Sequence, residues 1–254
     1  MIVLLSPAKN IDSKKQSKTE IYTIPNLLER AIIIADIMKG FAPSRLAELM
    51  KISKTLAFKN HDRFEKWEVP FTPENAKQAI LTFSGEVYRG LNAGTFSPQQ
   101  FNFAQNTIRI LSGLYGVLRP LDLIMPYRLE MGTALSNPSG NNLYTFWKDT
   151  VTNCINDDLK KTKSLALINL ASEEYFKVID KSKITKPIIT PVFMEASTPK
   201  PRVVAIHAKN ARGRMAAFII KNNLYEPEEI KLFEKDRYNF STELTKGNVW
   251  VFIR

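Results

Sequence analysis

The chain is poor in the residues that build metal and redox centres. It holds one cysteine, Cys154, and two histidines, His61 and His207, in 254 residues. One cysteine excludes an internal disulfide. Two histidines and one cysteine cannot assemble a Cys/His zinc site, and no Glu-x-x-His spacing supports a di-iron carboxylate centre. We therefore expect no metal and no cofactor. No apolar run approaches the roughly 20 residues of a membrane-spanning helix. The start, Met1-Ile2-Val3-Leu4-Leu5-Ser6-Pro7, has no basic leader and too short an apolar run for a signal peptide. The chain reads as cytoplasmic, with no membrane partner. Neither a Walker loop nor a GxGxxG is present, and there is no repeat or low-complexity tract.

What is present is an ordinary globular composition, 44% hydrophobic and 24% charged, in a chain long enough to bury a core. The net charge is +11 and the sequence pI is about 9.6, a balance that favours phosphate-rich partners. The charge is uneven. Between Lys181 and Lys221 there are nine Lys/Arg against one acid, Glu195, a local +8.

Periodicity and capping residues give a coarse plan. Ile2–Leu5 reads as a buried strand ending in Ser6-Pro7-Ala8-Lys9. Asn10–Thr23, with Lys14, Lys15 and Lys18, reads as a surface loop. Helices are expected from Pro25 to Gly40, over Pro43–Met50, and from the Ser53 cap to Trp67, with Phe58, Phe64 and Trp67 in the core. Thr72-Pro73-Glu74 predicts another helix through Ala76–Phe83, and Ser97-Pro98 one that runs on to Leu111. Ser139-Gly140-Asn141 is a turn and a candidate seam. Asn142–Leu159 is a long helix, with Cys154 as a small buried hydrophobe. Strands follow at Leu165–Leu170, Ile188–Met194 and Val203–Ile206, the last two joined by Thr198-Pro199-Lys200-Pro201. Helices at Met215–Lys221 and Pro227–Phe233 precede a closing strand, Val249–Ile253. The class is mixed α/β (α+β): a central mixed sheet flanked by helices in a single domain, residues 1–254.

Two features carry functional expectations. The first is Arg109–Gly132, RILSGLYGVLRPLDLIMPYRLEMG. It reads as a helix end, a glycine hairpin and a second helical start, a helix-hairpin-helix-like element that would present Gly113, Tyr115, Gly116 and Arg119 to phosphate. Leu118 stands where a second glycine is usual, and Pro126 would break the second helix early; an ordinary αα-turn is the alternative. The second feature is a set of polar loops after apolar runs. The carboxyl ends of parallel strands bind ligands, and helix N-termini there favour anions. If the strands are neighbours, Lys9, Ser172, Glu173, Lys209 and Arg212 line one cleft, with Arg214 adding to the basic face. Against this, Ser172 could be a plain N-cap and Lys209/Arg212 a solvated helix face. Arg128 and Glu130, two apart in an extended run, share a face opposite Tyr127, Leu129 and Met131. Glu130 or Glu173 would suit general acid–base work, and Lys9 or Lys209, if desolvated, nucleophilic amine chemistry.

The sequence resembles the YaaA family of bacterial peroxide-stress proteins over nearly its whole length. The likeness rests on Ser6–Lys9, Leu111–Asp122, Pro126–Gly132, Asn169–Tyr175 and Ala208–Gly213. It implies a cytoplasmic protein of the hydrogen-peroxide response, linked to limiting intracellular iron and oxidative DNA damage. It also implies a mixed α/β domain of unusual topology that binds DNA through a helix-hairpin-helix beside a basic cleft. No catalytic residues come with it.

The leading expectation is a monomeric DNA-binding protein of the peroxide response, which protects against oxidative DNA damage and lowers free iron. Its partner would be double-stranded or structured DNA, held by Lys/Arg contacts to phosphate. The alternative is an enzyme acting on a nucleotide, nucleobase or damaged DNA in a cleft lined by Lys9, Arg128, Glu130, Ser172, Glu173 and Lys209, which would also accept a nucleotide-like small molecule. Direct iron sequestration fits the ligand set poorly, so any effect on iron would be indirect.

Overall fold

The computed structural model describes residues 1–12, 19–196 and 200–254. Lys14, Lys15 and Lys18 of the first loop, and Thr198 and Pro199 of the proline-rich turn, lie outside the described residues. Among the described residues the chain runs β1 (Ile2–Leu5), β2 (Asn10–Ile11), α1 (Leu28–Lys39), α2 (Pro43–Met50), α3 (Lys54–Glu65), β3 (Lys77–Gln78), α4 (Ala79–Thr82), β4 (Phe83–Ser84), α5 (Glu86–Leu91) and α6 (Pro98–Thr107). It continues through β5 (Ile108–Ser112), β6 (Gly116–Leu118), β7 (Leu123–Ile124), α7 (Leu143–Lys161), β8 (Leu167–Asn169), α8 (Glu173–Phe176), β9 (Ile188–Met194), α9 (Ala205–Lys221), β10 (Asn239–Lys246) and β11 (Val249–Ile253).

Among the described residues seven strands form the central sheet, in the order β10-β11-β9-β8-β1-β5-β6. The interior pairs β11/β9, β9/β8, β8/β1 and β1/β5 are parallel, and antiparallel strands β10 and β6 close the two edges. The fold is mixed α/β, as its sequence pattern implies. β1, β5 and β8 are buried along their whole length, which is why they read as continuous apolar runs rather than alternating ones. Arg109 lies inside β5. Its Nε donates to Asp158 Oδ2 of α7 at 2.5 Å and its Nη1 to the carbonyls of Gln105 and Ile108. Strands from both halves of the chain, from Ile2–Leu5 to Val249–Ile253, share this one sheet, and Ser139–Asn141 is a surface turn just before α7 rather than a seam.

Local signals place several helices where the sequence expects them. Ser97 caps α6 through a reciprocal box with Gln100, with Pro98 in the first turn. Ser53 accepts from Leu56 N at the start of α3. Four expectations need correction. Phe58 is 63% exposed, whereas Phe64 and Trp67 are buried. Ala76–Phe83 holds only a single helical turn, α4 (Ala79–Thr82), between the short strands β3 and β4. Pro227–Leu232 is a 3₁₀ helix. Val203–Ile206 is not a strand, because α9 begins at Ala205 and only Arg202 bridges to Glu195.

The largest correction concerns Arg109–Gly132. The expected helix-hairpin-helix is a buried β-hairpin. α6 ends at Thr107, and Ile108–Ser112 pairs with Gly116–Leu118 in the register Ser112↔Gly116. Residues 108–118 are all buried. Tyr115 N donates to Ser112 Oγ at 2.9 Å, and the Trp147 indole Nε1 donates to the Gly113 carbonyl at 3.0 Å. The turn's polar groups are spent inside the protein, so it presents no row of N–H groups to a phosphate. Ile108 and Leu111 extend the three-four spacing of Phe101 and Ala104, which hides the change from helix to strand.

Candidate functional site

β1 and β8 are adjacent parallel strands, paired Leu4↔Asn169, so their carboxyl ends open side by side. There the loops after the two strands are tied together. Ser6 Oγ donates to Ser172 Oγ at 3.2 Å and accepts from Ser172 N at 2.8 Å. Ser172 occupies the N-cap position of α8 without using its side chain as a cap, because that hydroxyl faces Ser6 instead.

Two helices supply the other walls. α5 and α9 cross so closely that a Cβ on Gly213 would overlap the Val87 carbonyl, and one on Gly90 the Asn210 carbonyl. This crossing seats the first half of α9 beside the strand ends. Lys209 and Arg212, one turn apart, point the same way. Ser84, Gly85 and Tyr88 from the start of α5 complete the rim. Tyr88, with its ring buried, donates its hydroxyl to the Ser6 carbonyl at 3.0 Å. The result is a cleft of about 530 Å³ lined by Lys9, Ser172, Glu173, Lys209 and Arg212, together with Glu86, Tyr88 and Tyr175.

Arg128 and Glu130 lie behind this cleft and join it through Lys9. Lys9 Nζ is 3.7 Å from Glu130 Oε1. Arg128 places both Nε (2.9 Å) and Nη2 (2.8 Å) on that same oxygen. Tyr127, Leu129 and Met131 point into the core on the opposite face. Among the described residues Glu130 Oε2 is buried and has no hydrogen-bond partner. The carboxylate is thus held by one oxygen, with the other left as a dry acceptor.

The electrostatics are set by burial. Desolvation lowers the Arg212 guanidinium below its ordinary pKa. Arg212 is half-buried, and no carboxylate among the described residues pairs with it within 4.0 Å. A half-buried guanidinium with no acid beside it favours an anion from outside the chain. Burial, reinforced by their neighbours, pushes the phenols of Tyr88 and Tyr175 up, so both stay protonated donors. Lys9 is 67% exposed beside a carboxylate. That setting suits a charge partner better than the amine nucleophile expected from sequence, which needs desolvation.

The remaining expected site residues fall elsewhere. Gly113, Tyr115 and Gly116 belong to the buried hairpin. Arg119 is bound to the buried Asp122, through Nε at 3.1 Å and Nη2 at 2.8 Å, and to the Ile24 carbonyl. Arg214 turns to the far side of α9, where it meets Asp236 at 2.6 Å and Asn210 at 2.8 Å. Sequence reasoning missed Gly85, Glu86 and Tyr88. Their only local signal is a Ser-Gly-Glu helix start, and their place on the rim is set by the α5–α9 crossing. Among the described residues no group of three His, Cys, Asp or Glu is arranged to hold a metal ion, and no helix is long and apolar enough to cross a membrane.

A mixed α/β sheet with a charged cleft at the carboxyl ends of two adjacent parallel strands defines the general class. The chain belongs to the peroxide stress protein YaaA family, whose model matches residues 1–244. It is 46% identical over all 254 residues to a UPF0246 protein of Hahella chejuensis, covering 99% of that protein. It is 47% identical to one from Teredinibacter turnerae, again over 99% of its length. A UPF0246 protein of Neisseria meningitidis serogroup A is 44% identical, with 98% covered.

Proposed function

We propose that the cleft binds an anionic, nucleotide-like ligand, either a free nucleotide or a nucleotide unit of DNA, and acts on it by general acid–base chemistry. Arg212, Lys209 and Lys9 engage the phosphate. Glu173, on the cleft wall, accepts a proton or hydrogen bond from the ligand, while Glu130, fixed by Arg128 and lying behind the cleft, holds Lys9 in place. Ser172 and Glu173 supply the polar rim. The observation that carries this reading is the convergence of a half-buried guanidinium, Arg212, which has no carboxylate within 4.0 Å among the described residues, with Lys9 and Lys209 around one cleft. Calorimetric titration with deoxynucleoside monophosphates and short 5′-phosphorylated oligonucleotides tests it. Binding should be lost or sharply weakened in Arg212→Ala. The absence of binding to every member of the series at low salt would sink the reading.

DNA binding as part of the peroxide response is the second reading, with protection from oxidative damage as its purpose. The net charge of +11 favours it, with Lys181, Lys183, Lys186 and Lys209 exposed in the basic segment. The buried hairpin cannot be the DNA contact, so phosphate contacts would come from the basic surface around the cleft, with little reading of sequence. A gel-shift series in rising salt separates the two readings: an affinity for long duplex that survives Arg212→Ala belongs to the surface and not to the cleft. Lowering of free iron would then be an indirect consequence, since the chain is poor in metal ligands.

A further inference from the structure

The structure assigns Asn60 as the positioning residue that fixes where Glu130 presents its carboxylate; this rests on the reading of the cleft given above. Residues 125–130 belong to no strand, so the peptide groups of Arg128 have no ladder to pair with. Buried peptide groups need partners. Asn60, on α3 and 68 residues away, supplies both. Arg128 N donates to Asn60 Oδ1 at 3.0 Å, and Asn60 Nδ2 donates to the Arg128 carbonyl at 2.9 Å. The side-chain amide thus does the work of a neighbouring strand. Its orientation is settled by these partners, and the residue is 1% exposed.

The residue pinned in this way is the one whose guanidinium grips Glu130. On the far side of Glu130 the segment is held again. Gly132 N donates to Glu174 Oε1 at 3.2 Å. Gly113, the glycine that reads from sequence as phosphate-facing, has no Cβ, and the Leu129–Glu130 peptide packs directly against it. A Cβ there would overlap the Leu129 carbonyl. Glu130 is therefore bracketed by an amide clamp two residues before it, a close approach beside it and a carboxylate contact two residues after it. Asn60 does not line the cleft; its Nδ2 also meets Met50 Sδ at 3.2 Å, but its link to Glu130 runs through Arg128. The competing explanation is that Asn60 merely satisfies two buried peptide groups. Its loss would then lower stability while Arg128 kept its grip on Glu130.

The test uses the full chain in three variants. Asn60→Ala removes both bonds. Asn60→Asp keeps the acceptor for Arg128 N and loses the donor to its carbonyl. Ala57→Gly, buried one turn earlier on α3, destabilises the same helix without touching Arg128. The readout is hydrogen exchange of the Arg128 Nε–H by NMR, which needs no ligand. Asn60→Ala should speed exchange about tenfold or more, Asn60→Asp should do so by less, and Ala57→Gly should leave it unchanged. Equal acceleration in Asn60→Ala and Ala57→Gly, or none in the Asn60 variants, overturns the assignment. If Asn60→Ala does not fold, Asn60→Asp against Ala57→Gly decides the matter in the same way. A parallel titration with dAMP separates the two claims. If Asn60 controls the exchange and dAMP does not bind, the positioning role stands while the nucleotide reading loses its support. If dAMP binds and neither exchange nor affinity responds to Asn60, the positioning role falls while the cleft reading stands.

Discussion

The six-membered ring of Trp147 lies where a Cβ on Gly116 would have to go, 2.6 Å from Cε3, and Gly116 holds a φ of +70° that L side chains rarely adopt. The hairpin turn is therefore closed from α7 by an indole that also caps the Gly113 carbonyl. Gly116→Ala faces overlap and backbone strain together, and we expect a loss of about 2–4 kcal/mol. Chemical denaturation measures it. A variant as stable as the wild type but defective in DNA binding would restore the phosphate-facing role that burial denies to this turn.

That outcome marks where sequence stops being informative. Local devices were legible. The Ser97-Pro98 cap, the Pro43 start and the apolar runs Ile2–Leu5 and Ile188–Met194 each act within a few residues, so periodicity and capping reach them. Ile108–Ser112 was not, because a strand buried on both faces carries no alternation and its apolar positions continue the helix before it. Lys209 and Arg212 reach the cleft, but from a helix rather than a strand end, because i,i+3 spacing on α9 gives them one face. β10, with mostly exposed residues, shows no pattern to read. Tyr88 and Asn60 take their roles from contacts 82 and 68 residues away, a range that no spacing rule covers.

Cys154 sits on α7, where burial pushes its thiol up to about 11, with Asp158 adding to the effect. Only the thiolate is a good nucleophile. At pH 8 the native protein should react with a thiol-specific disulfide reagent many times more slowly than the same protein unfolded in guanidinium chloride. Rapid native labelling would mean that the Cys154 environment opens readily, and would make Cys154 a reactive thiol.

Glu195 gathers the C-terminal region. It accepts from Arg254 Nε at 2.9 Å, from the Tyr238 hydroxyl at 2.8 Å and from His207 Nδ1 at 3.1 Å. The hydrogen bond from Arg254, chiefly, holds its pKa below the usual 4.5. A carboxylate depressed on folding stabilises the native state above its unfolded pKa, and that contribution is lost as pH falls through the folded value. Glu195→Gln should therefore be less stable than wild type at pH 7, with the gap closing below about pH 4.5, the start of its unfolded titration range. Thermal melts from pH 7 to pH 3 report the gap. A difference that stays constant over this range would show that packing, and not the charge, is what Glu195 contributes.

Lys9, Lys209 and Arg212 approach the cleft from two separate elements, the loop after β1 and helix α9, and the phosphate reading assigns each a share of one anion. Each cation that neutralises a phosphate charge on single-stranded DNA adds about 0.7 to the slope of log affinity against log salt. Lys9→Ala and Lys209→Ala should therefore each lower the salt slope for a short 5′-phosphorylated oligonucleotide by about that amount, with folding stability nearly unchanged because both side chains are exposed. Arg212 should differ in kind. Its half-buried guanidinium makes shorter, drier contacts, so Arg212→Ala should cut affinity about tenfold to a hundredfold even in high salt, the range of one to two lost charge-assisted hydrogen bonds. Fluorescence anisotropy between 50 and 400 mM salt, over which the Debye length falls about threefold, resolves the two behaviours. Three identical, purely salt-dependent losses would make Arg212 one more surface cation and move binding from the cleft to the open basic face.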